Sequence, residues 1–189
     1  MGPSGNYRFK IATEEAEFEQ IHRLNYRTFV EEIPQHSANA EGRLVDPFDK
    51  ENTYVVCIDG DRLVGMLSVR DRRPFSLDAK LENLDLYLPP HQRPCEFRLL
   101  AVEPDYRNGK VFFGVLKFMT GHCFAKGYDL AVISGALRRL GLYRHVGFVP
   151  FGPVVGTAEA PFQPMYLTRA AFLERSEEIL GNRREGGRQ

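Results

Sequence analysis

The sequence carries no excess charge of either sign, since 25 Lys and Arg residues balance 25 Asp and Glu residues. A dedicated nucleic-acid-binding protein usually has a marked basic excess, so this balance argues against that class. No run of about 18 apolar residues is present, and we therefore expect no insertion into a membrane. Residues 1–5 contain no apolar stretch, so we expect no secretory signal.

Cysteine is scarce as well: Cys57, Cys95 and Cys123 are odd in number and widely spaced, and no CxxC motif occurs. This pattern favours neither a disulfide framework nor a zinc ribbon, and it predicts a reducing, cytoplasmic location. The five histidines show no metal-ligand spacing with a carboxylate or thiolate partner, so no metal is expected.

What the sequence has in quantity is apolar material. Of its 189 residues 43% are hydrophobic, including 14 Phe and 8 Tyr, which excludes disorder as the main state. A chain of this length suits one domain, which we predict over residues 7–180. Residues 1–6 and 181–189 are polar or rich in Gly and Arg and are predicted to be flexible tails.

The first third of the chain predicts a strand, a helix and a hairpin. Residues 7–12 favour a short strand, after which Thr13 is expected to cap a helix that Pro34 ends. Residues 53–70 predict an antiparallel hairpin around Asp59-Gly60. Two long loops, 35–50 and 71–94, flank the hairpin, and the second carries scattered apolar residues that suggest a short helix or a cover.

The second half predicts a parallel strand pair joined by a helix. Residues 95–102 form a strand, 103–109 a turn, 110–126 a helix with Gly127 as its C-terminal cap, and 129–134 a buried strand. Strand, helix and strand in about 40 residues imply a right-handed crossover. A short helix at 136–145, a strand at 162–167 and a last helix at 169–180 complete an α/β (α+β) pattern.

The turn at 103–112 is the first candidate site. A helix N-terminus suits a phosphate, Arg107 and Lys110 add two cations, and Gly109 permits close approach to the backbone. The turn matches neither the GxGxxG nor the GxxxxGK[ST] pattern, so dinucleotide binding and ATP hydrolysis are poorly supported. The alternative is an ordinary strand–helix turn with solvated charges.

Tyr143 is the second candidate, because a phenol near the end of a parallel strand pair can give a proton to a leaving group. The alternative is a tyrosine whose ring is packed in the protein and whose hydroxyl contacts solvent.

The carboxylates are third. Glu96 and Arg98 lie two apart on one strand, so they form either a base and an anion clamp in a cleft or a surface ion pair. Asp46 and Asp49 could hold a substrate amine or cap a turn, and Glu103 is a further possible base.

Two segments together resemble the acyl-CoA loop and the LYxxxGF block of the GNAT N-acyltransferase superfamily. They are residues 100–109 (LAVEPDYRNG) and 142–148 (LYRHVGF). The resemblance covers most of the chain. It implies the GNAT fold, a mixed sheet with antiparallel N-terminal strands, a splayed parallel pair and helices on both faces. Lys110 and Phe112 stand where the superfamily usually has small residues.

A narrower resemblance is to the GNAT branch of FeeM-like N-acyl amino acid synthases and acyl-homoserine-lactone synthases. It rests on residues 27–32 (RTFVEE), 46–49 (DPFD), 63–65 (LVG) and 95–98 (CEFR). Asn25 and Ser68 occupy positions where this branch often has arginine. The branch implies transfer of a long acyl chain from acyl carrier protein or acyl-CoA to a small amine.

The resemblance also implies roles for particular residues. The acyl donor would be held by Leu100, Ala101, Val102, Arg107, Asn108, Gly109, Lys110, Val111 and Phe112. The acceptor would be held by Arg27, Phe29, Asp46, Asp49 and Arg98.

The implied mechanism is direct transfer, without a covalent acyl-enzyme. The thioester would lie in the splay between the strands 95–102 and 129–134, with a backbone N–H polarising its carbonyl. Glu96 or Glu103 would deprotonate the amine, and Tyr143 would protonate the departing thiolate. Two other functions stay open: an ordinary acetyl-CoA N-acetyltransferase and a non-catalytic acyl-thioester-binding domain.

Overall fold

A computed structural model describes residues 5–175 of the protein. These residues form two compact units, of which the first holds residues 5–72, 97–127 and 157–160, and the second 73–96, 128–156 and 161–175. The predicted tails lie almost wholly outside the described residues, as does the predicted last helix beyond residue 175. The single domain stays a prediction.

The first unit is built on antiparallel strands. They are β1 (Tyr7–Ile11), β2 (Thr53–Asp59), β3 (Arg62–Arg70) and the later part of β4 (Pro94–Val102), in that spatial order. The register runs from Tyr7 opposite Asp59 and from Thr53 opposite Val69. The predicted hairpin is confirmed, and Gly60 supplies the positive φ of 64° that its turn requires.

Helices cover both faces of this part of the sheet. Helix α1 (Glu15–Tyr26) places Ile21 and Leu24 against Tyr54 and Val56 of β2. Helix α2 (Lys110–Lys126) lies over the other face, where Phe9 is paired with Cys57. The predicted C-terminal cap of α2 is confirmed, since Gly127 is left-handed with φ 74°.

The start of α1 differs from the prediction. Glu14, not Thr13, is the N-cap residue. The Glu17 carboxylate accepts hydrogen bonds from the backbone N–H groups of Thr13 (2.9 Å) and Glu14 (3.1 Å). Lys10 pairs with that carboxylate at 2.8 Å, and Glu14 and Glu17 together form a capping box.

The helix that was expected to reach Pro34 changes its geometry before that proline. Arg27–Glu32 is a π-helix that directly continues α1, and Ile33 ends it. Such segments are rare and often occur at functional sites, and this one carries Arg27 and Phe29.

The second unit contains the parallel pair. Residues 94–96 of β4 pair with 130–132 of β5 (Leu130–Ala136), and β5 pairs antiparallel with β8 (Pro161–Thr168). The short strands β6 (Val149–Pro150) and β7 (Val155–Gly156) also pair with β8. A 3₁₀ turn, Leu137–Arg139, precedes helix α3 (Leu140–Val146), and residues 169–175 are helical. The predicted mixed α/β class is confirmed.

The long segment 71–94 covers an apolar cluster of the second unit. Its buried side chains pack on β5, and the cluster consists of Phe75, Leu77, Leu81, Leu84, Leu130 and Val132. The expected short helix is present as the 3₁₀ turn Leu84–Tyr87.

We predict that Gly114→Ala destabilises the protein by about 1–3 kcal/mol, the usual cost of overpacking. A Cβ at Gly114 would lie 2.1 Å from Cζ of Phe9, so the ring would have to move. Gly121→Ala on the same helix is the matched control, because its Cβ would meet nothing within 4 Å. It should stabilise by roughly 0.5–1 kcal/mol through helix propensity. Equal denaturation midpoints for the two variants would contradict this packing.

Candidate functional site

Strand β4 contains a backbone feature that the sequence did not reveal. Leu99 has φ 55°, a left-handed conformation that is uncommon for a residue other than glycine. Strained residues in mid-strand interrupt the hydrogen-bonding ladder and cluster at functional sites. The predicted donor-binding residues Leu100, Ala101 and Val102 directly follow this point.

The predicted phosphate turn is well ordered by its own side chains. Arg107 donates from Nη1 and Nη2 to the Glu32 carboxylate at 2.9 and 2.5 Å, and from Nε to the Val102 carbonyl at 2.8 Å. The Asn108 side chain accepts from the Lys110 N–H at 3.2 Å. Gly109, with φ 91°, forms the N-cap of α2. Arg107 is thus paired with a carboxylate rather than simply solvated, and a phosphate would compete with Glu32 for it.

Glu103 is buried, and two guanidinium groups face it. Arg27 of the π-helix forms an ion pair with Oε1, and Arg62 Nη2 lies 3.5 Å from the same oxygen. The Glu103 backbone N–H donates to the Val64 carbonyl at 2.9 Å. Glu103 is thus held through its carboxylate by two arginines and through its backbone by β3.

Phe29, a predicted acceptor contact, is partly buried. It packs against the apolar cluster shared by α1, β2 and β3. The acceptor role of Phe29 stays a prediction.

Asp46 and Arg98 are brought together although 52 positions separate them. Arg98 donates to both carboxylate oxygens of Asp46, at 2.7 and 2.8 Å, which is the bidentate geometry of a strong pair. Asp46 Oδ1 also accepts from the Phe48 N–H at 2.9 Å and from Asn52 Nδ2 at 3.0 Å. Asp46 thus caps the turn at Phe48 and also binds a β4 arginine, and its role in holding the acceptor stays a prediction.

Asp49 belongs to a second hydrogen-bonded group. Its Oδ1 accepts from the Tyr54 hydroxyl at 2.8 Å and lies 3.1 Å from His22 Nε2. Burial raises the pKa of Tyr54, and the nearby carboxylates raise it further, so the phenol stays a proton donor. Arg43 Nη2 lies 3.2 Å from His22 Nδ1, so this ring nitrogen accepts and Nε2 donates to Asp49.

Arg70 is a buried residue that sequence reasoning missed. Its guanidinium stacks on the Phe48 ring at 3.9 Å and its Nη1 lies 2.9 Å from Glu51 Oε2. The expected hairpin arginine is replaced by Ser68, and Arg70 lies two residues further along β3. Residues two positions apart on a strand lie on the same face, so the sequence could have indicated Arg70 as the replacement for the arginine expected at Ser68.

Glu96 in the second unit is fully buried, with 0% of its surface exposed. Ser76 donates to both of its carboxylate oxygens, from the backbone N–H at 2.8 Å and from Oγ at 2.6 Å. The burial of Glu96 does not fit the alternative of an ion pair on the surface. Ser76 belongs to no sequence motif, so only the structure identifies it as a hydrogen-bond partner of Glu96.

Tyr143 lies on α3, and the backbone of β5 holds its ring. A Cβ at Gly135 would lie 2.9 Å from Tyr143 Cδ2, so only glycine leaves room for the ring. Burial raises the pKa of Tyr143, and a backbone hydrogen bond from Ala136 opposes this rise. The phenol therefore stays protonated at neutral pH, as a general acid must.

The described residues also include the cysteines and the potential metal ligands. Cys57, Cys95 and Cys123 are buried, and burial raises the pKa of Cys57 to about 12. Within residues 5–175 no group of three His, Cys, Asp or Glu side chains is arranged to hold a metal ion. Over the same residues, none of the helices has the length and apolarity that a membrane crossing requires.

Comparison with known proteins places this sequence in a family. The profile of the family described as N-acyl amino acid synthase FeeM matches residues 20–170. No curated protein sequence matches significantly.

Several solved structures share the fold. One is the CoA-dependent acyl-homoserine lactone synthase BjaI with MTA (TM-score 0.72, 20% identity, 92% of this chain and 90% of that one). FeeM from uncultured soil microbes, an N-acyl amino acid synthase, has TM-score 0.68, 15% identity and coverage of 90% and 94%. An acyl-CoA N-acyltransferase from Pseudomonas aeruginosa has TM-score 0.60, 13% identity and coverage of 85% and 97%. The expected GNAT fold is thereby confirmed.

Proposed function

The chain belongs to the FeeM family of N-acyl amino acid synthases and is an acyltransferase, and from this premise we propose its substrates and its chemistry. It transfers a long acyl chain from a CoA or acyl-carrier-protein thioester to the amino group of an amino acid or a similar small amine. The observation that carries the proposal, beyond the family, is the left-handed Leu99 in β4. A backbone N–H freed there from the sheet would polarise the thioester carbonyl and stabilise the oxyanion.

Direct attack by the amine is favoured over a covalent acyl-enzyme. The three cysteines are buried, and burial raises the pKa of Cys57 to about 12, so the Cys57 thiol supplies almost no thiolate at neutral pH. Carboxylates and a protonated phenol are instead present, and these are the groups that amine attack and thiolate departure require.

Glu96 is the better candidate for the base. Ser76 donates to it from its backbone N–H and its hydroxyl, and a hydroxyl in this position can pass a proton to the carboxylate. The guanidinium groups of Arg27 and Arg62 face Glu103. Tyr143 then protonates the thiolate.

A long acyl chain is favoured by the apolar side chains of the second unit. Leu88, Phe151, Val155 and Tyr166 pack against the buried cluster under segment 71–94 and stay partly exposed. Each methylene group buried on such surface contributes about 0.8 kcal/mol, which would separate long from short donors.

The experiment that tests the function measures thiol release from acetyl-CoA, dodecanoyl-CoA and dodecanoyl-acyl carrier protein with a panel of twenty L-amino acids and small amines. We expect a dodecanoyl thioester to have at least about a tenfold higher kcat/KM than acetyl-CoA. Preference for acetyl-CoA would support an ordinary N-acetyltransferase. Donor binding without thiol release from any donor would support a non-catalytic domain.

The phosphate turn gives a second prediction. Replacing Arg107 and Lys110 together by Ala should raise the donor KM at least about tenfold, because each charge-assisted contact is worth about 1.5–3 kcal/mol. Glu32→Gln is the matched control: it removes the charge that competes for Arg107, so the donor KM should stay the same or fall. An unchanged donor KM in the double variant, with a normal melting curve, refutes the assignment.

Tyr143 gives a third prediction. Tyr143→Phe should lower kcat by about 10²-fold, near the lower end for a general acid because a thiolate is a fair leaving group. Gly135→Ala should also lower kcat, since it displaces the ring, whereas Gly141→Ala on α3, with open space at its Cβ, should not. If Tyr143→Phe retains kcat within about twofold of the wild type, the tyrosine has only a packing role.

A further inference from the structure

Ser76 is the partly exposed partner of the buried carboxylate of Glu96. Glu96 is 0% exposed, whereas Ser76 is partly exposed. The distance of 2.6 Å from Oγ to Oε1 is typical of a hydroxyl bound to a charged carboxylate. The serine hydroxyl is therefore in direct contact with the oxygen that would take up a proton.

The segment that carries Ser76 is fixed in place. Asp78 accepts from the Phe75 N–H at 2.5 Å and from Arg73 Nη2 at 2.5 Å. The Phe75 side chain is buried in the apolar cluster. The neighbouring hydrogen bonds thus hold the hydroxyl on Glu96 before any substrate arrives, which is the preorganisation that catalysis exploits.

The hydroxyl oxygen of Ser76 can still accept a hydrogen bond. A serine hydroxyl has one proton to donate and two lone pairs with which to accept, and an ionised carboxylate only accepts. Ser76 gives its proton to Glu96 Oε1, and within residues 5–175 no donor reaches its Oγ. The open lone pairs suit an N–H donor such as a substrate amine.

We propose that Ser76 relays the proton of the acyl acceptor to Glu96; this rests on the proposed function of the preceding section. The amine nitrogen forms a C–N bond with the thioester carbonyl carbon. Its proton passes to Ser76 Oγ while the Ser76 hydroxyl proton passes to Glu96 Oε1. The C–S bond then breaks, and the thiolate takes the phenol proton of Tyr143. Transfer of one proton from Glu96 to Tyr143 through solvent restores the enzyme.

The experiment compares Ser76→Thr with Ser76→Val in the full chain. Threonine and valine have nearly the same shape, so the pair differs only in the hydroxyl. The assay uses dodecanoyl-CoA and the best amine of the panel. Steady-state kinetics are recorded across pH and in mixtures of H₂O and D₂O, and melting curves show that each variant is folded.

We expect Ser76→Thr to retain kcat within about fivefold of the wild type, and Ser76→Val to lower it by about 10²-fold with little change in donor KM. Glu96→Gln should lower kcat similarly, and the double variant Ser76→Val/Glu96→Gln should be no slower than Glu96→Gln alone, since both groups serve one transfer. The dependence of kcat on deuterium fraction should be curved in the wild type, where two protons move together, and linear in Ser76→Val.

Equal kcat values for Ser76→Thr and Ser76→Val would overturn the relay, and so would effects of Ser76→Val and Glu96→Gln that multiply. Either result, obtained with an active wild type, leaves the proposed function intact. Absence of thiol release by the wild type with every donor would instead refute the proposed function itself.

Discussion

The bidentate pair of Asp46 and Arg98 ties the long loop 35–50 to strand β4, and the polar chemistry of the first unit depends on this attachment. With Asp46 fixed, Phe48 is placed where the guanidinium groups of Arg98 and Arg70 approach its ring, at 4.8 and 3.9 Å. Asp49 then meets Tyr54 and His22. Removal of one partner from such a buried pair is far more costly than the pair's net contribution to stability, because it leaves an uncompensated charge.

Strand β4 carries Glu96 and Arg98, two positions apart, and directly after them Leu99 has an irregular backbone conformation. Glu96 and Arg98 each reach a partner on a long loop, Ser76 in the second unit and Asp46 in the first. Leu99 then enters the left-handed region, and the segment 100–102 follows it. A positive φ at a residue other than glycine is strained, and such residues cluster at functional sites, which is why Leu99 supports the proposal of a site on this strand.

The sequence predicted the elements that local chemistry decides. Asp59-Gly60 specified the hairpin, Gly127 ended α2, and the motif around Tyr143 placed it on α3 after the parallel pair. The predicted helix start at Thr13 is wrong because Glu14 and Glu17 form a capping box, and Glu17, paired with Lys10, accepts from the backbone N–H groups of Thr13 and Glu14. Local propensity cannot anticipate such a competition between neighbouring side chains.

Ser76, Arg70 and Leu99 were beyond sequence reasoning for a common reason: each acquires its role from a partner or a conformation set by tertiary structure. Ser76 lies in an irregular loop, 20 positions from Glu96. Arg70 is distinguished only by burial against Phe48, and a left-handed leucine has no signature in one sequence. The resemblance supplied carboxylates and a phenol, whereas only the structure shows that Arg27 pairs with Glu103 and that Ser76 donates to Glu96. Each of these contacts joins residues that are far apart in the sequence, 76 and 20 positions respectively, so no local pattern could have predicted them.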